Sequence, residues 1–292
     1  MHKSGFVNII GNPNVGKSTL MNCLVGEKLS IITSKVQTTR HRILGMVNGD
    51  NFQLIFSDTP GIIKPLYELQ SSMMEFVKSA IEDADVLLYI VEIGDKSIAN
   101  TEIHKKIKSA KTPIIILLNK IDLSTQNNVQ KEISFWSNNY PHSQIFPISA
   151  LNNFNIENVI NKIIELIPKC PPYFEKDQLT DKPKRFFVNE KLREKILLYY
   201  NKEVPYSVEV VTDEFKEEDS LIRISSQILV ERESQKGIII GNKGIALKKI
   251  GTKSRIDLEK FFGKKVFLRL KVKVSKNWRS SKRLLKKFGY KN

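Results

Sequence analysis

An α/β domain with a mixed, mainly parallel sheet, followed by a smaller and strongly basic α+β domain, is the fold class this sequence predicts. Three observations carry it. Short apolar runs alternate with helix-period stretches through the first half, as in a sheet with crossover helices. That pattern breaks between Pro168 and Pro183, and a new order of elements follows. The charge changes at the same place. Residues 1–170 hold 17 Lys+Arg against 15 Asp+Glu, a balance of +2, whereas residues 171–292 hold 30 against 16, a balance of +14 within the total of +16. A surplus confined to one half points to a polyanionic partner there.

In the first half the predicted strands are Phe6–Ile10, Ile43–Val47, Phe52–Ser57, Val86–Val91, Ile114–Leu118 and Ile145–Ile148. Asn48-Gly49-Asp50-Asn51 reads as a hairpin turn, so one strand should run antiparallel at an edge. Leu69, Met73, Phe76, Val77, Ala80 and Ile81 share one face of a helix. A last helix should run from about Ile156 to Ile167 and stop before Pro168. The domain assignments are residues 1–168, a linker or strap over 169–184 carrying Pro171-Pro172, and residues 185–292. The second domain should hold a helix over Val188–Asn201, strands over Ser207–Phe215 and Ser220–Glu231, a Gly-flanked loop, and a helix over Ile245–Phe262. An alternating strand follows, with Val266, Leu268, Leu270, Val272 and Val274 on one side, and then a basic terminal helix.

Two domains of ordinary size account for 292 residues, and 41% hydrophobic content is enough for real cores. The longest apolar runs are strand-length, far short of the roughly 18 residues a membrane span needs, and the N-terminus has no signal-peptide pattern. Cytosol is the expected compartment. Cys23 and Cys170 are too few for a disulfide framework or a four-ligand zinc site.

Gly11-Asn12-Pro13-Asn14-Val15-Gly16-Lys17-Ser18 matches the phosphate-loop pattern, two glycines bracketing four residues before Lys-Ser. Backbone N–H groups of such a turn converge on phosphate oxygens, Lys17 reaches the β- and γ-phosphates, and the Ser18 hydroxyl ligates Mg²⁺. A helix starting near Ser18 adds its positive dipole end. Three further pieces follow in order, each at the end of its own strand. In Asp58-Thr59-Pro60-Gly61, Asp58 can hold Mg²⁺ through water and the Gly61 N–H can meet the γ-phosphate. In Asn119-Lys120-Ile121-Asp122, a carboxylate can accept hydrogen bonds from the guanine ring N–H and exocyclic amine, a donor pair that adenine lacks. In Ser149-Ala150-Leu151, the Ala150 N–H can serve the guanine carbonyl. Each alone is a common loop. Together they converge, because ligands of open α/β sheets bind outside the carboxyl ends of the strands.

On these residues the first half resembles the Ras-like, translation-factor class of P-loop GTPases, and its Gly-x-Pro-Asn-Val-Gly-Lys-Ser and Asp-Thr-Pro-Gly forms point to the Era-like branch. The resemblance implies GTP and GDP as ligands, Mg²⁺ held by Ser18, Asp58 and a switch threonine, and Lys17, Asn14 and Gly61 in catalytic positions. The polar stretch from Lys35 to His41 looks like the first switch segment. Family resemblance favours Thr39, beside Arg40, as the Mg²⁺ ligand of the GTP state, with Thr38 left open. Where Ras-like enzymes carry a water-orienting Gln after the Asp-x-x-Gly glycine, this chain has Ile62 and then Ile63. Unassisted turnover should therefore be slow, roughly 10⁻⁴ to 10⁻² s⁻¹. In related GTPases with the same Pro-Asn pair, the Asn helps bind a K⁺ that supplies charge like an arginine finger. For Asn14 that role and a loop-shaping role stand side by side.

In the second half, Gly241-Asn242-Lys243-Gly244 is a Gly-x-x-Gly loop ahead of a helix carrying Leu247, Ile250 and Ile256. Two glycines let the chain approach a sugar–phosphate backbone closely, and Lys243, Lys248 and Lys249 add charge. The setting of helix, two strands, loop, helix and strand over roughly Val188 to Val274 resembles a type II KH domain, which binds single-stranded RNA. Residues 236–292 carry 19 Lys+Arg and only Asp257 and Glu259 as acids, so binding to nucleic acid should depend steeply on salt. Part of that charge, Lys282 to Lys287, also fits a solvated helix face with Leu284, Leu285 and Phe288 inward. Trp278 fits core packing better than stacking on a base.

The two resemblances cover nearly the whole chain. They imply a monomeric, GTP-controlled switch that binds single-stranded rRNA and acts in small (30S) subunit assembly and 16S rRNA maturation. The branch's peripheral association with the cytoplasmic face of the inner membrane keeps a rival reading, a membrane-surface signalling GTPase whose basic tail binds anionic lipid.

Overall fold

The computed structural model describes residues 1–97 and 99–291, and the chain divides into two compact units. The first takes Met1–Leu66 and Gln70–Asp181; the second takes Lys182 onward together with Tyr67–Leu69.

The first unit runs β1 (Lys3–Ile10), α1 (Lys17–Val25), β2 (Ile43–Asn48), β3 (Phe52–Asp58), α2 (Glu68–Glu82), β4 (Val86–Glu92), α3 (Thr101–Ser109), β5 (Ile114–Asn119), α4 (Gln126–Asn139), β6 (Gln144–Pro147) and α5 (Ile156–Leu166). The strand order is β2-β3-β1-β4-β5-β6, with β2 antiparallel to β3 and the other pairs parallel. Val86 through Val91 are all buried, which is why β4 reads as one apolar run instead of an alternation. β1 starts three residues before its predicted start, because Lys3, Ser4 and Gly5 pair with Phe52, Gln53 and Leu54 despite their polar or small side chains. Its neighbours are β3 and β4, so the chain order reverses at β1 and opens a crevice at that strand's carboxyl end.

The segment expected to be a linker or strap over 169–184 is a strap for most of its length, and residues up to Asp181 group with the first unit. Its backbone needs partners, and edge strand β2 has unpaired ones. Met46 N–H donates to Leu179 O (2.9 Å), Thr180 Oγ1 donates to Leu44 O (2.6 Å), and Leu44 N–H donates to Asp181 Oδ1 (2.9 Å). Farther along, the fully buried Gln53 amide accepts from Tyr173 N–H and Phe174 N–H and donates to Phe174 O (2.8, 3.0 and 2.8 Å). The strap covers the sheet edge.

The second unit runs α6 (Lys184–Tyr199), β7 (Glu209–Glu217), β8 (Leu221–Val230), α7 (Glu233–Ile240), α8 (Ile245–Phe262), β9 (Lys265–Val274) and α9 (Lys282–Lys287). Its sheet order is β7-β8-β9, antiparallel then parallel. Val188, Leu192 and Ile196 of α6, Val210 of β7, Ile222, Ile224 and Ile228 of β8, and Ile250 and Leu258 of α8 form the core. Two expectations change. Helix α6 begins at Lys184, one turn before Val188, with Pro183 as its cap residue; its first turn carries Phe186 and Phe187, and Phe187 is buried. The stretch read as a Gly-flanked loop contains helix α7. Gly237 disguises it, at a propensity cost of about 1 kcal/mol, yet Ile239 is fully buried and the Gln235 side chain accepts from Glu231 N–H and Arg232 N–H at the helix start. Trp278 is fully buried and its Nε1 donates to Ser207 O at 2.8 Å, which assigns it to the core and closes the base-stacking alternative.

Candidate functional site

The loop between β1 and α1 is the centre of the first unit's site. Gly16 has φ +105°, and a Cβ there would lie 2.3 Å from Asn119 Nδ2, so both conformation and space demand glycine. Helix α1 then begins at Lys17 and aims its N-terminus at the loop. A cavity of about 470 Å³ opens here, lined among others by Pro13, Asn14, Gly16, Lys17, Ser18, Thr39, Gly61 and Lys120. Lys17 Nζ donates to Gly11 O (3.1 Å) and Asn12 O (2.7 Å), which holds it folded over the turn. Burial pushes the Lys17 ammonium down to about 8, while the Asp58 carboxylate pulls it back up. Asn12 Nδ2 reaches Ser97 O and Asp95 Oδ2, fixing the flank of the loop. Thr59 Oγ1 donates to Ile9 O at 2.7 Å and anchors the turn after β3.

Three oxygens meet beside Lys17. Ser18 Oγ donates to Asp58 Oδ2 at 2.7 Å and lies 2.8 Å from Thr39 Oγ1, which is itself 3.4 Å from Asp58 Oδ2. Thr38 also lines the cavity, but its Oγ1 lies 2.6 Å from both Thr33 Oγ1 and Lys35 O. Burial pushes the Asp58 carboxyl up, against hydrogen bonds from Ser18 and Thr39 and the charge of Lys17. Asp58 Oδ1 is buried with no hydrogen-bond partner. A buried carboxylate whose Oδ2 meets two hydroxyls fits a hard divalent cation that takes its other ligands from phosphate and water, which is the habit of Mg²⁺. Among the described residues no group of three or more His, Cys, Asp and Glu could hold a metal.

The Asn119-Lys120-Ile121-Asp122 turn follows β5. Asn119 is 2% exposed; its Nδ2 donates to Val15 O (2.7 Å) and its Oδ1 accepts from Ala150 N–H (2.9 Å). The side chain therefore ties the phosphate loop to the Ser149-Ala150-Leu151 turn, a role its sequence position did not announce. Lys120 sits in the left-handed region (φ +65°) and pairs with Glu92 at 2.6 Å, leaving its stem along the cavity. Asp122 is exposed and Ile121 is half-buried. Ser149 and Ala150 are buried, while Leu151 is 80% exposed. Pro60 is buried ahead of Gly61, where a Cβ would lie 2.8 Å from Pro13 Cα, so the turn after β3 closes tightly on the phosphate loop. Ile62 is 3% exposed and its N–H donates to Gly11 O (3.0 Å). Asn14, at φ +63°, donates from Nδ2 to Ser34 O at 3.1 Å, linking the loop to the segment that holds Thr38 and Thr39.

In the second unit, Asn242 and Lys243 stand exposed in a short turn between α7 and α8. Gly244 (φ +77°) is left-handed and Gly241 (φ +71°) is extended at positive φ, two conformations that favour glycine and make this turn. A groove of about 350 Å³ starts at Gly244 and follows one face of α8 through Leu247, Lys248, Gly251, Thr252 and Arg255, with Leu268 and Leu270 of β9 as its other wall. Lys248 lines the groove. Lys249 does not, since its Nζ lies over the Tyr199 ring at 4.6 Å. Gly251, Thr252 and Arg255 were missed in the sequence, although steps of three and four residues from Gly244 give them.

Two family models match the chain: one described as a 50S ribosome-binding GTPase over residues 6–120, and one described as a KH domain over residues 203–279. GTPase Era of Syntrophus aciditrophicus is 47% identical over 293 residues, covering 99% of this chain and 96% of its own. GTPase Era of Geotalea daltonii is 46% identical, covering 98% and 97%. The chain belongs to the Era GTPase family. As an Era-family protein it is a hydrolase of GTP with a KH domain. A crystal structure of Era in complex with MgGDPNP and nucleotides 1506–1542 of 16S ribosomal RNA matches the whole fold with a TM-score of 0.95 at 40% identity, covering 100% of both chains. An Aquifex aeolicus Era variant bound to GDP and tetrafluoroaluminate matches equally well, covering 99% of this chain and 100% of its own. No helix among the described residues is long and apolar enough to cross a membrane.

Proposed function

We propose that this chain is a GTP-controlled switch that grips a single-stranded segment near the 3′ end of small-subunit ribosomal RNA and acts in 30S subunit assembly. One observation carries the reading: a guanine-type nucleotide site and a Gly-x-x-Gly groove occupy one chain, and the Era protein solved with MgGDPNP and a 16S rRNA fragment shares that architecture throughout.

In this reading the turn Gly11–Ser18 cradles the phosphates and Lys17 carries the charge opposite the β- and γ-oxygens. Ser18, Thr39 and Asp58 would hold Mg²⁺, the convergence of Ser18 Oγ, Thr39 Oγ1 and Asp58 Oδ2 being the strongest support for that ligand set. Mg²⁺ bound there would neutralise charge on the nucleotide phosphates. Thr39 is the ligand, because the Thr38 hydroxyl is engaged elsewhere. Asp122 reads guanine, and Asn119 holds the surrounding loops. Ile62 offers no hydrogen bond to a water, so turnover depends on Lys17, the Gly61 N–H and a monovalent charge such as K⁺ beside Asn14. The RNA side rests on Gly241, Asn242, Lys243, Gly244 and Lys248, extended by Thr252 and Arg255.

Binding of a labelled single strand from the 3′ end of 16S rRNA tests the reading. Gly241→Asp with Gly244→Asp should abolish it while leaving GTP hydrolysis without RNA unchanged. Equal RNA affinity in the variant and the parent would refute the RNA assignment. Loss of anionic-vesicle binding in its place would favour the membrane reading.

A further inference from the structure

Strand β9 is an edge strand with two chemically different faces. Its inward residues include Leu268 and Leu270, which wall the groove. Its outward residues are Lys265, Phe267, Arg269, Lys271 and Lys273, all exposed. At about 3.3 Å of rise per residue, neighbours on this face stand roughly 6.6 Å apart and the row runs for about 26 Å. Across the ladder their outward partners on β8 are Leu221, Arg223, Ser225, Gln227 and Leu229, with no acid among them.

Four carboxylates on β7 and the turn after it are taken. Asp213 accepts from Gln227, Glu214 pairs with Lys216 at 3.3 Å, Glu217 with Lys184 and Lys264, and Glu218 with Arg223 at 3.0 Å. Among the described residues none of Lys265, Arg269, Lys271 and Lys273 makes an ion pair. Lysines often guard a sheet edge against pairing with another chain. Guarding explains one or two charges. It does not explain four in register, nor Phe267 left 48% exposed in the middle of them.

We propose that this outward stripe of β9 is a second RNA contact, which holds the phosphate backbone of the RNA flanking the segment clamped in the groove. It rests on the RNA-binding reading above. A Gly-x-x-Gly loop clamps about four nucleotides, so a longer strand must leave the groove. Where it leaves past Leu268 and Leu270, it turns round the edge strand and meets Arg269 and Lys271 of the same strand. Evenly spaced cations suit successive phosphates, and an exposed aromatic ring suits an unstacked base.

The test uses the full chain and two RNAs: nucleotides 1506–1542 of 16S rRNA, the fragment solved with Era, and a single strand of about six nucleotides that fills the groove alone. In Arg269→Gln/Lys271→Gln/Lys273→Gln, three phosphate contacts at roughly 0.7 each should lower the salt slope for the long RNA by about 2 and its affinity on the order of 50-fold at 0.15 M salt. Short-RNA affinity should stay within about twofold, and Arg269→Lys/Lys271→Arg/Lys273→Arg should restore long-RNA binding. Unchanged long-RNA affinity, or equal loss for both RNAs, overturns the proposal. So does loss of binding to phosphatidylglycerol vesicles with RNA binding intact, which would give the stripe to a lipid surface. The two readings fail differently. If Gly241→Asp/Gly244→Asp spares the short RNA, the groove is wrong; if that variant abolishes short-RNA binding and the triple variant spares the long RNA, only the stripe is wrong.

Discussion

Asn119→Ala should damage nucleotide binding without removing any group that reads the base through its own charge. The side chain is buried, and truncating it leaves Val15 O and Ala150 N–H without their partners at 2.7 and 2.9 Å. Each orphaned buried backbone group costs about 1–3 kcal/mol, and water entering the space left behind recovers part of that. A net loss of roughly 2–3 kcal/mol is the working figure, equivalent to a 30- to 150-fold weaker Kd if it falls on the bound state. It should fall there, because both ties end on loops that nucleotide must find in one arrangement. Titration with fluorescent GDP and GTP analogues reads the effect, and both nucleotides should weaken alike, since neither tie touches the γ-phosphate. Asn119→Asp keeps the acceptor for Ala150 N–H but sets a carboxylate against Val15 O, so it should be at least as damaging. Affinity within twofold of the parent in Asn119→Ala would show that the loops hold themselves and refute the reasoning.

Thr39→Ala should weaken Mg²⁺-dependent binding of a non-hydrolysable GTP analogue by about tenfold and leave GDP nearly unchanged, whereas Thr38→Ala should do neither to that extent. Titrations with and without EDTA distinguish the two residues. Hydrolysis of GTP should be faster in KCl than in NaCl, and Asn14→Ala should erase the difference; equal rates in both salts would leave Asn14 with only its bond to Ser34. Gln53→Ala should lower the melting temperature by several degrees, because Tyr173 N–H and Phe174 N–H lose their acceptor and the strap its anchor, at about 2–4 kcal/mol. A thermal melt that does not move would show that the β2 contacts suffice.

What the sequence displayed and what it hid divide along a physical line. Gly11 to Ser18 was legible because a turn that converges on phosphate leaves few residue types at each place, and those requirements are local. The antiparallel edge strand was legible from Asn48-Gly49-Asp50-Asn51 for the same reason. The bracing role of Asn119 was not, since Val15 and Ala150 lie 104 and 31 residues away and only the fold brings them together. Helix α7 was hidden by Gly237 and by a run of isoleucines that shows no helical period; burial of Ile239 decides its conformation. Which of Thr38 and Thr39 meets Ser18 and Asp58 depends on the path of the loop, which adjacent identical residues do not encode. The wall of the groove at Thr252 and Arg255 was written in helical spacing from Gly244, but a short Gly-x-x-Gly motif draws attention only to itself.

The ratio of RNA affinities in the two nucleotide states tests the central claim most directly. A labelled 3′-terminal strand of 16S rRNA is titrated with the chain loaded with a non-hydrolysable GTP analogue and Mg²⁺, and again with GDP. A switch requires affinities that differ by a factor of about 5 to 150, and the same factor must appear when RNA is added to a titration of the nucleotide. Equal RNA affinity in both states would leave two binding activities in one chain and no switch between them.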